Sequence, residues 1–386
     1  MDGAGALTIQ VLGDLANIDR ATWDGLANPA GAPFDPFLSW VFLQALEQSG
    51  CVSAAKGWQP AHLIARASNG QAVGAMPLYA KDHSYGEYVF DHGWADALQR
   101  AGGRYYPKLL CAAPFTPVSG RRILARDAEV EAALAQAAIG LARRAGASSV
   151  HATFTSAEAC ARLAPLGYMT RVGLQYHWFN PGYASFDDFL AQLSSQKRKN
   201  IRRERSRARE GLLVKRLRGG DIKARDWDFF FRCYMDTGSR KWGSPYLNRE
   251  FFAQLGERMG ERCVLFVAEA EGRQIASALN LVGGEALYGR YWGRLAEAPL
   301  LHFELCYYQA IELAIELGLP RVEAGAQGEH KLARGYVPAP TYSAHWIAHS
   351  GLRDAVARYL DAETPAMVEE AEVLSEHAPF RKMPDL

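Results

Sequence analysis

The chain has 386 residues, 49% of them apolar, with 43 Lys and Arg against 42 Asp and Glu. That length suits two domains of about two hundred residues or fewer, and the apolar share supplies a core for each. The formal net charge of +1 excludes a global field for nucleic acid or an anionic membrane, so any such attraction must be local.

The opening residues, MDGAGALTIQVLGDL, are acidic where a signal peptide is basic, and they lack its apolar block. No stretch approaches the roughly 20 apolar residues of a membrane span. Cys51, Cys111, Cys160, Cys233, Cys263 and Cys306 are scattered without redox or zinc-knuckle spacing, which predicts buried reduced thiols and a cytoplasmic location. Residues 61–79 show two β-type runs around Asn69-Gly70, a hairpin signal. Residues 81–118 gather His83, Glu87, Asp91, His92, Lys108 and Thr116 without an HExxH-type pattern, so no metal is expected. His83, Asp91 and Lys108 are read as substrate-binding candidates. Residues 130–154 predict an Ala/Leu-rich helix, a turn at Gly146 and a strand.

That plan recurs. Residues 263–282 form a second hairpin around Glu271-Gly272, and residues 305–326 a second helix, turn and strand. Gly70 and Gly272 are 202 residues apart whereas Gly146 and Gly318 are 172 apart, so the first copy carries an insertion of about 30 residues between hairpin and helix. Asn180-Pro181-Gly182 is a turn cluster followed by a helix start at 185–188. The expected domains are therefore 1–178 and 179–386, each a mixed sheet flanked by helices.

The chemistry-bearing residues concentrate in the second copy. KRKNIRRERSRARE (197–210) sets eight cations against two acids and reads as a solvated helix able to meet phosphates, with Lys199, Arg202 and Arg203 as contacts to a donor. The loop RKWGSPYLN (240–248) offers Lys241, Trp242 and Tyr246 for binding. Arg290, Tyr291 and Trp292 alternate along the strand YGRYWG, with Tyr291 a catalytic candidate and the other two pocket residues. His302 and Glu304 form the polar head of an otherwise apolar helix. The strand end EAGAQGEHKLARGY (323–336) supplies Glu323 and His330 as candidate bases, with Gln327, Glu329, Lys331 and Arg334 able to hold substrate. No Gly-x-Ser-x-Gly elbow is present, which argues against a hydrolase triad.

GEYVFDHGWADA (86–97), YYPKL (105–109), PFTPVSGRR (114–122), KRKNIRRER (197–205), LYGRYWG (287–293), EAGAQGEHKLARGY (323–336) and TYSAHW (341–346) together resemble the FemAB-like subgroup of the GNAT acetyltransferase superfamily, the bacterial peptidoglycan biosynthesis/recognition family. The resemblance implies an α+β chain of tandem GNAT-like domains, with acyl or aminoacyl transfer to a small-molecule or peptide-like amine acceptor. It implies the donor in the second domain and the acceptor in an interdomain groove. Acetyl-CoA enzymes carry a Gly-rich loop before the main helix, where N–H groups cradle pyrophosphate; this chain has GRLAEAPLLHFEL (293–305). That departure resembles FemAB-type enzymes, which take the acyl group from aminoacyl-tRNA. No tightly bound cofactor is implied, and the co-substrate is aminoacyl-tRNA or acyl-CoA. A non-catalytic protein that recognises a cell-wall precursor is the competing reading.

Overall fold

The computed structural model describes residues 7–240, 245–325 and 328–381. They divide into two compact units: residues 1–173 with 340–369, and residues 174–339 with 370–386. The units differ from the contiguous halves 1–178 and 179–386, because the chain returns to the first unit after completing the second. The cause is a strand, β15 (Val337–Ile347), whose Tyr342–Ile347 stretch pairs antiparallel with β8 (Ser149–Thr155) of the first unit.

In the first unit the Asn69-Gly70 hairpin forms as the turn chemistry predicts, with Gly70 at φ 83° and Asn69 Oδ1 accepting from Gln71 N–H. Its arms, β3 (His62–Arg66) and β4 (Ala72–Met76), join β1 (Thr8–Leu12) and β7 (Leu124–Ala125) in a four-stranded sheet. The arms then continue as β2 (Trp58–Pro60) and β5 (Leu78–Lys81) in another sheet, beside β6 (Lys108–Cys111), β8 and β15. Pro77 sits at the changeover. It has no N–H for the ladder, so the long hairpin bends there. The predicted insertion holds the His92–Arg100 helix and β6. The Ala128–Ala145 helix, capped by Asp127 and ended by Gly146 at φ 64°, packs its Val130, Leu134, Ala138 and Ala142 stripe on these strands.

The second unit has one sheet in the order β10 (Leu212–Arg218), β11 (Cys263–Ala270), β12 (Arg273–Val282), β13 (Ala286–Arg294), β14 (Arg321–Glu323) and β9 (Met169–Phe179), the last joined through His177–Phe179. Only the β13–β14 pair is parallel. On one face lies a continuous helical run, Leu301–Glu316, whose Leu305, Tyr308, Ile311 and Ile315 pack with Ala276, Ala278 and Leu287 of the strands. On the other face the Ala224–Arg240 and Arg249–Met259 helices meet through an aromatic cluster of Phe230, Tyr234 and Phe252. The helix backbone comes so close to β13 that a methyl group on Gly293 would lie 1.9 Å from the Cys233 carbonyl oxygen.

Gly293→Ala must therefore push that helix away from the sheet. The expected cost is roughly 1–3 kcal/mol, read as a lower urea midpoint; an unchanged midpoint would contradict the packing.

Candidate active site

The site grows from a parting of strands. β13 and β14 are in register over Ala286–Tyr288 and Arg321–Glu323. Beyond Tyr288 β13 runs on to Arg294 against β12, and among the described residues β14 does not follow it. At the mouth of this gap the β12–β13 register steps from Asn280↔Gly289 to Leu279↔Tyr291, so Arg290 is an extra residue in a bulge. Bulges of this kind re-aim a strand at a rim or a site.

The segments around the gap carry further irregularities. Leu300, at φ 64°, opens the helical run, and Glu304–Tyr308 winds as a π-turn, a distortion that recurs at functional sites. Past Glu323 the chain turns at Gly325 (φ 83°) and Gly328 (φ 118°) into a 3-10 helix, Glu329–Arg334. His330 Nε2 lies 2.8 Å from the Tyr307 hydroxyl. The ring of His302 is 6.0 Å from that of His330, 5.3 Å from Tyr307 and 5.1 Å from Trp292. His330 is exposed and His302 and Trp292 are half-buried, so this cluster is open to a ligand. Burial pushes the Tyr307 phenol well above its ordinary value. Tyr307 therefore stays protonated.

Lys331 is buried, and its ammonium donates to the Gly325 carbonyl at 2.6 Å. Burial lowers its pKa to about 8, against a smaller raising influence from Cys306. Near neutrality it is a desolvated cation beside the gap, with N–H capacity beyond that one bond. Glu323, also buried, accepts from Arg321 Nε at 2.9 Å and lies 3.8 Å from His177 Nε2. His177 in turn is 3.2 Å from Gln175 Oε1. Burial, then Arg321 and Lys331, pull the His177 pKa down to about 3. It is a neutral imidazole.

The predicted residues thus fall into separate neighbourhoods. His302, His330, Lys331 and Trp292 surround the end of the gap. Tyr291 faces away, its ring against Tyr234 and Phe252, so its hydroxyl-bearing side belongs to the aromatic cluster of the helices; Arg290 lies over that ring. Glu323 is held in the Arg321 ion pair rather than presented as an exposed base. Arg334 stacks on Phe303 at 3.4 Å and its fork is engaged by Glu204 and the His330 carbonyl. Glu329 and Tyr246 are exposed; Lys241, Trp242 and Gln327 lie outside the described residues. His83, Asp91 and Lys108 belong to the first unit, the latter two buried together.

The basic helix, Ser195–Ala208, corrects the expectation of an all-round solvated surface. Ile201 and Ala208 face the core, and this turns Arg205 inward. Arg205 and Arg209 both grip Glu304, which is fully buried, and Arg205 and Arg216 share Glu312. Lys199, Arg202 and Arg203 remain exposed, Arg202 beside Asp187 at 2.9 Å. Sequence reasoning missed His177, Arg321 and Tyr307, since nothing in an alternating strand or an apolar helix marks which polar side chain meets a loop from elsewhere.

The FemAB-like family, described as peptidoglycan biosynthesis/recognition, matches residues 14–382. No curated protein matches the sequence. Among solved structures, FemX is similar at 12% identity with a TM-score of 0.57, over 88% of this chain and 98% of that one. A conserved protein of unknown function from Bacteroides thetaiotaomicron gives 12% and 0.52, over 88% and 100%. L-PGS from Bacillus licheniformis gives 13% and 0.51, over 86% and 98%. At these identities the likeness is one of fold, and it is a mixed α/β fold.

Glu304→Gln removes the charge that holds Arg205 and Arg209 against the π-turn. The expected loss is roughly 3 kcal/mol by chemical denaturation, and a variant as stable as the parent would show that the cluster does not fasten the helix.

Proposed function

This chain belongs to the FemAB-like family, and on that premise we propose that it is an N-acyl- or aminoacyltransferase that delivers its group to an amine acceptor. The observation that carries the reading is Lys331, a buried cation at the end of the gap between β13 and β14. A carbonyl seated there, attacked by an amine, gathers negative charge on its oxygen, and a desolvated ammonium stabilises that charge more than water does. The ring of His330 takes the proton the attacking amine gives up, with Tyr307 holding the imidazole in place. The leaving oxygen or sulfur takes that proton from His330 as the bond to the carbonyl carbon breaks.

Aminoacyl-tRNA is the donor this reading favours over acyl-CoA. Pro299 and Leu300 stand where a pyrophosphate cradle needs glycines and free N–H groups, and Lys199, Arg202 and Arg203 offer exposed cations to a phosphate backbone. No helix among the described residues is long and apolar enough to cross a membrane, and among the same residues no cluster of His, Cys, Asp and Glu could hold a metal.

Lys331 must be protonated for its role, and it loses its charge as pH rises through about 8. Turnover should therefore fall on the alkaline side of about pH 8, and Lys331→Arg should move that limb upward. Lys331→Met should lower kcat by about 100-fold at pH 7. A rate that instead climbs through pH 8 to a plateau would make Lys331 a base. Burial disfavours the charged form in the folded state, so stability should increase from about pH 8 towards the ordinary lysine range. His330→Gln should cost about 100-fold in kcat with the melting temperature unchanged. A fully active variant would show that His330 is not the base.

A further inference from the structure

The first unit buries an ionic cluster that the transfer step does not use. Lys81, Glu87, Asp91 and Lys108 are all at or below 4% exposure. Lys108 donates to Ser84 Oγ at 2.8 Å, to Glu87 Oε2 at 2.7 Å and to Asp91 Oδ2, which fills its three N–H positions. Tyr105 donates to the same Asp91 oxygen at 2.7 Å. Each carboxylate keeps one further oxygen, Glu87 Oε1 and Asp91 Oδ1, sealed from solvent and accepting no hydrogen bond. Leaving such acceptors buried and unsatisfied costs on the order of 1–3 kcal/mol apiece.

Lys81 does not close that account. Its ammonium lies over the Trp58 ring at 3.9 Å, is 3.0 Å from His83 Nδ1, and stands 3.8 Å from Glu87 Oε1, beyond hydrogen-bond reach. Burial lowers its pKa to about 7, offset in part by Glu87 and lowered further by Lys108. Burial likewise raises Glu87 to about 7, opposed by Lys108, whereas Lys108 outweighs burial to hold Asp91 well below its ordinary range. The other titratable groups facing the cluster are Asp82 and His83 from its own segment, Tyr106, whose hydroxyl lies 2.8 Å from Ser84 Oγ, and, behind Tyr105, His151 with His345 at 2.7 Å, both neutral through burial. The covering segment, residues 82–91, has no helix or strand, bends through Gly86 at φ 80° and Tyr88 at φ 60°, and leaves Tyr85 and Phe90 at 62% and 60% exposure beside the exposed His92. A left-handed tyrosine costs roughly 1–2 kcal/mol, and such strain collects at ligand clamps.

We propose that the Glu87–Asp91 pair binds a primary ammonium group of the ligand, whose charge takes over from Lys81 as counter-ion to the second carboxylate. The proposal rests on the reading of an amine-bearing acceptor and concerns where the first unit anchors a charged ammonium of that ligand other than the nitrogen that is acylated. Lys108 bridges the two carboxylates through one oxygen of each, and the two remaining oxygens are the acceptors left for a second ammonium. The segment 82–91 lifts to admit it, and its exposed rings meet the chain that carries the amine. Because Lys81 and Glu87 both hold protons there, entry of an ammonium expels up to one proton, from either of them, to the buffer.

The test is calorimetric titration of the full chain at pH 7 with Nα-acetyl-L-lysine amide, in phosphate and in Tris, with Nα-acetyl-L-norleucine amide as the uncharged control. The lysine amide should bind at least about tenfold more tightly than the control, and its apparent enthalpy should differ between buffers by a released proton. Glu87→Gln should weaken binding at least about tenfold. Lys81→Met should keep binding and change the number of protons released, which tests the exchange even where Glu87→Gln fails to fold. Equal affinity for the two amides, no binding, or unaltered binding by a folded Glu87→Gln would overturn the site. A protein that binds the amine as described but transfers nothing would instead sink the transferase reading while supporting this one.

Discussion

The second unit depends on one interrupted ladder. β13 and β14 pair in parallel for three residues and then separate, so a strand that would otherwise bury both edges has one edge bordering a gap. A parallel pair needs its connection to cross over through a helix, and that helix is Leu301–Glu316, which therefore begins beside the gap and brings His302 and Tyr307 with it. The segment that leaves β14 must turn at once, and its glycines at φ 83° and 118° let it do so. The turn places His330 against Tyr307 and folds Lys331 under its own loop. The candidate chemistry is thus a consequence of where two strands stop pairing.

A gap of this kind weakens the structure around it, and the compensation is ionic. Glu304 sits in the π-turn with no exposure, held by Arg205, Arg209 and Gln309. A lone buried carboxylate would destabilise the fold, but two guanidinium forks and an amide satisfy its lone pairs. The cations that read as a solvated stripe are therefore divided: those facing Glu304 and Glu312 fasten the basic helix to the π-turn, and those on the outer side stay in water.

The elements were legible where local chemistry dictates them. Asn69-Gly70 and Glu271-Gly272 announce their hairpins, and Asp127 and Gly146 bracket a helix that the composition already favours. The bend at Pro77 was also present in the sequence, but a proline between two apolar runs does not reveal that the hairpin passes from one sheet to another. The return of β15 to the first unit was hidden, since a strand's partner is a non-local choice. At the candidate site, His330 and Lys331 stand out in the sequence because glycines surround them. That Tyr291 and Trp292 point to opposite faces was legible, but not that the phenol's face packs on the helices, nor that a bulge takes Arg290 out of the alternation. His177 and Arg321 escaped notice because their roles arise only when three strands lie side by side.

Hydrogen–deuterium exchange, with and without a non-hydrolysable aminoacyl-RNA analogue, tests most directly whether the parted strands hold the donor. Bound analogue should slow exchange in residues 289–294 and 328–335 and leave the β11–β12 hairpin unchanged. Binding that protects other segments while these two exchange at their free rate would contradict the account.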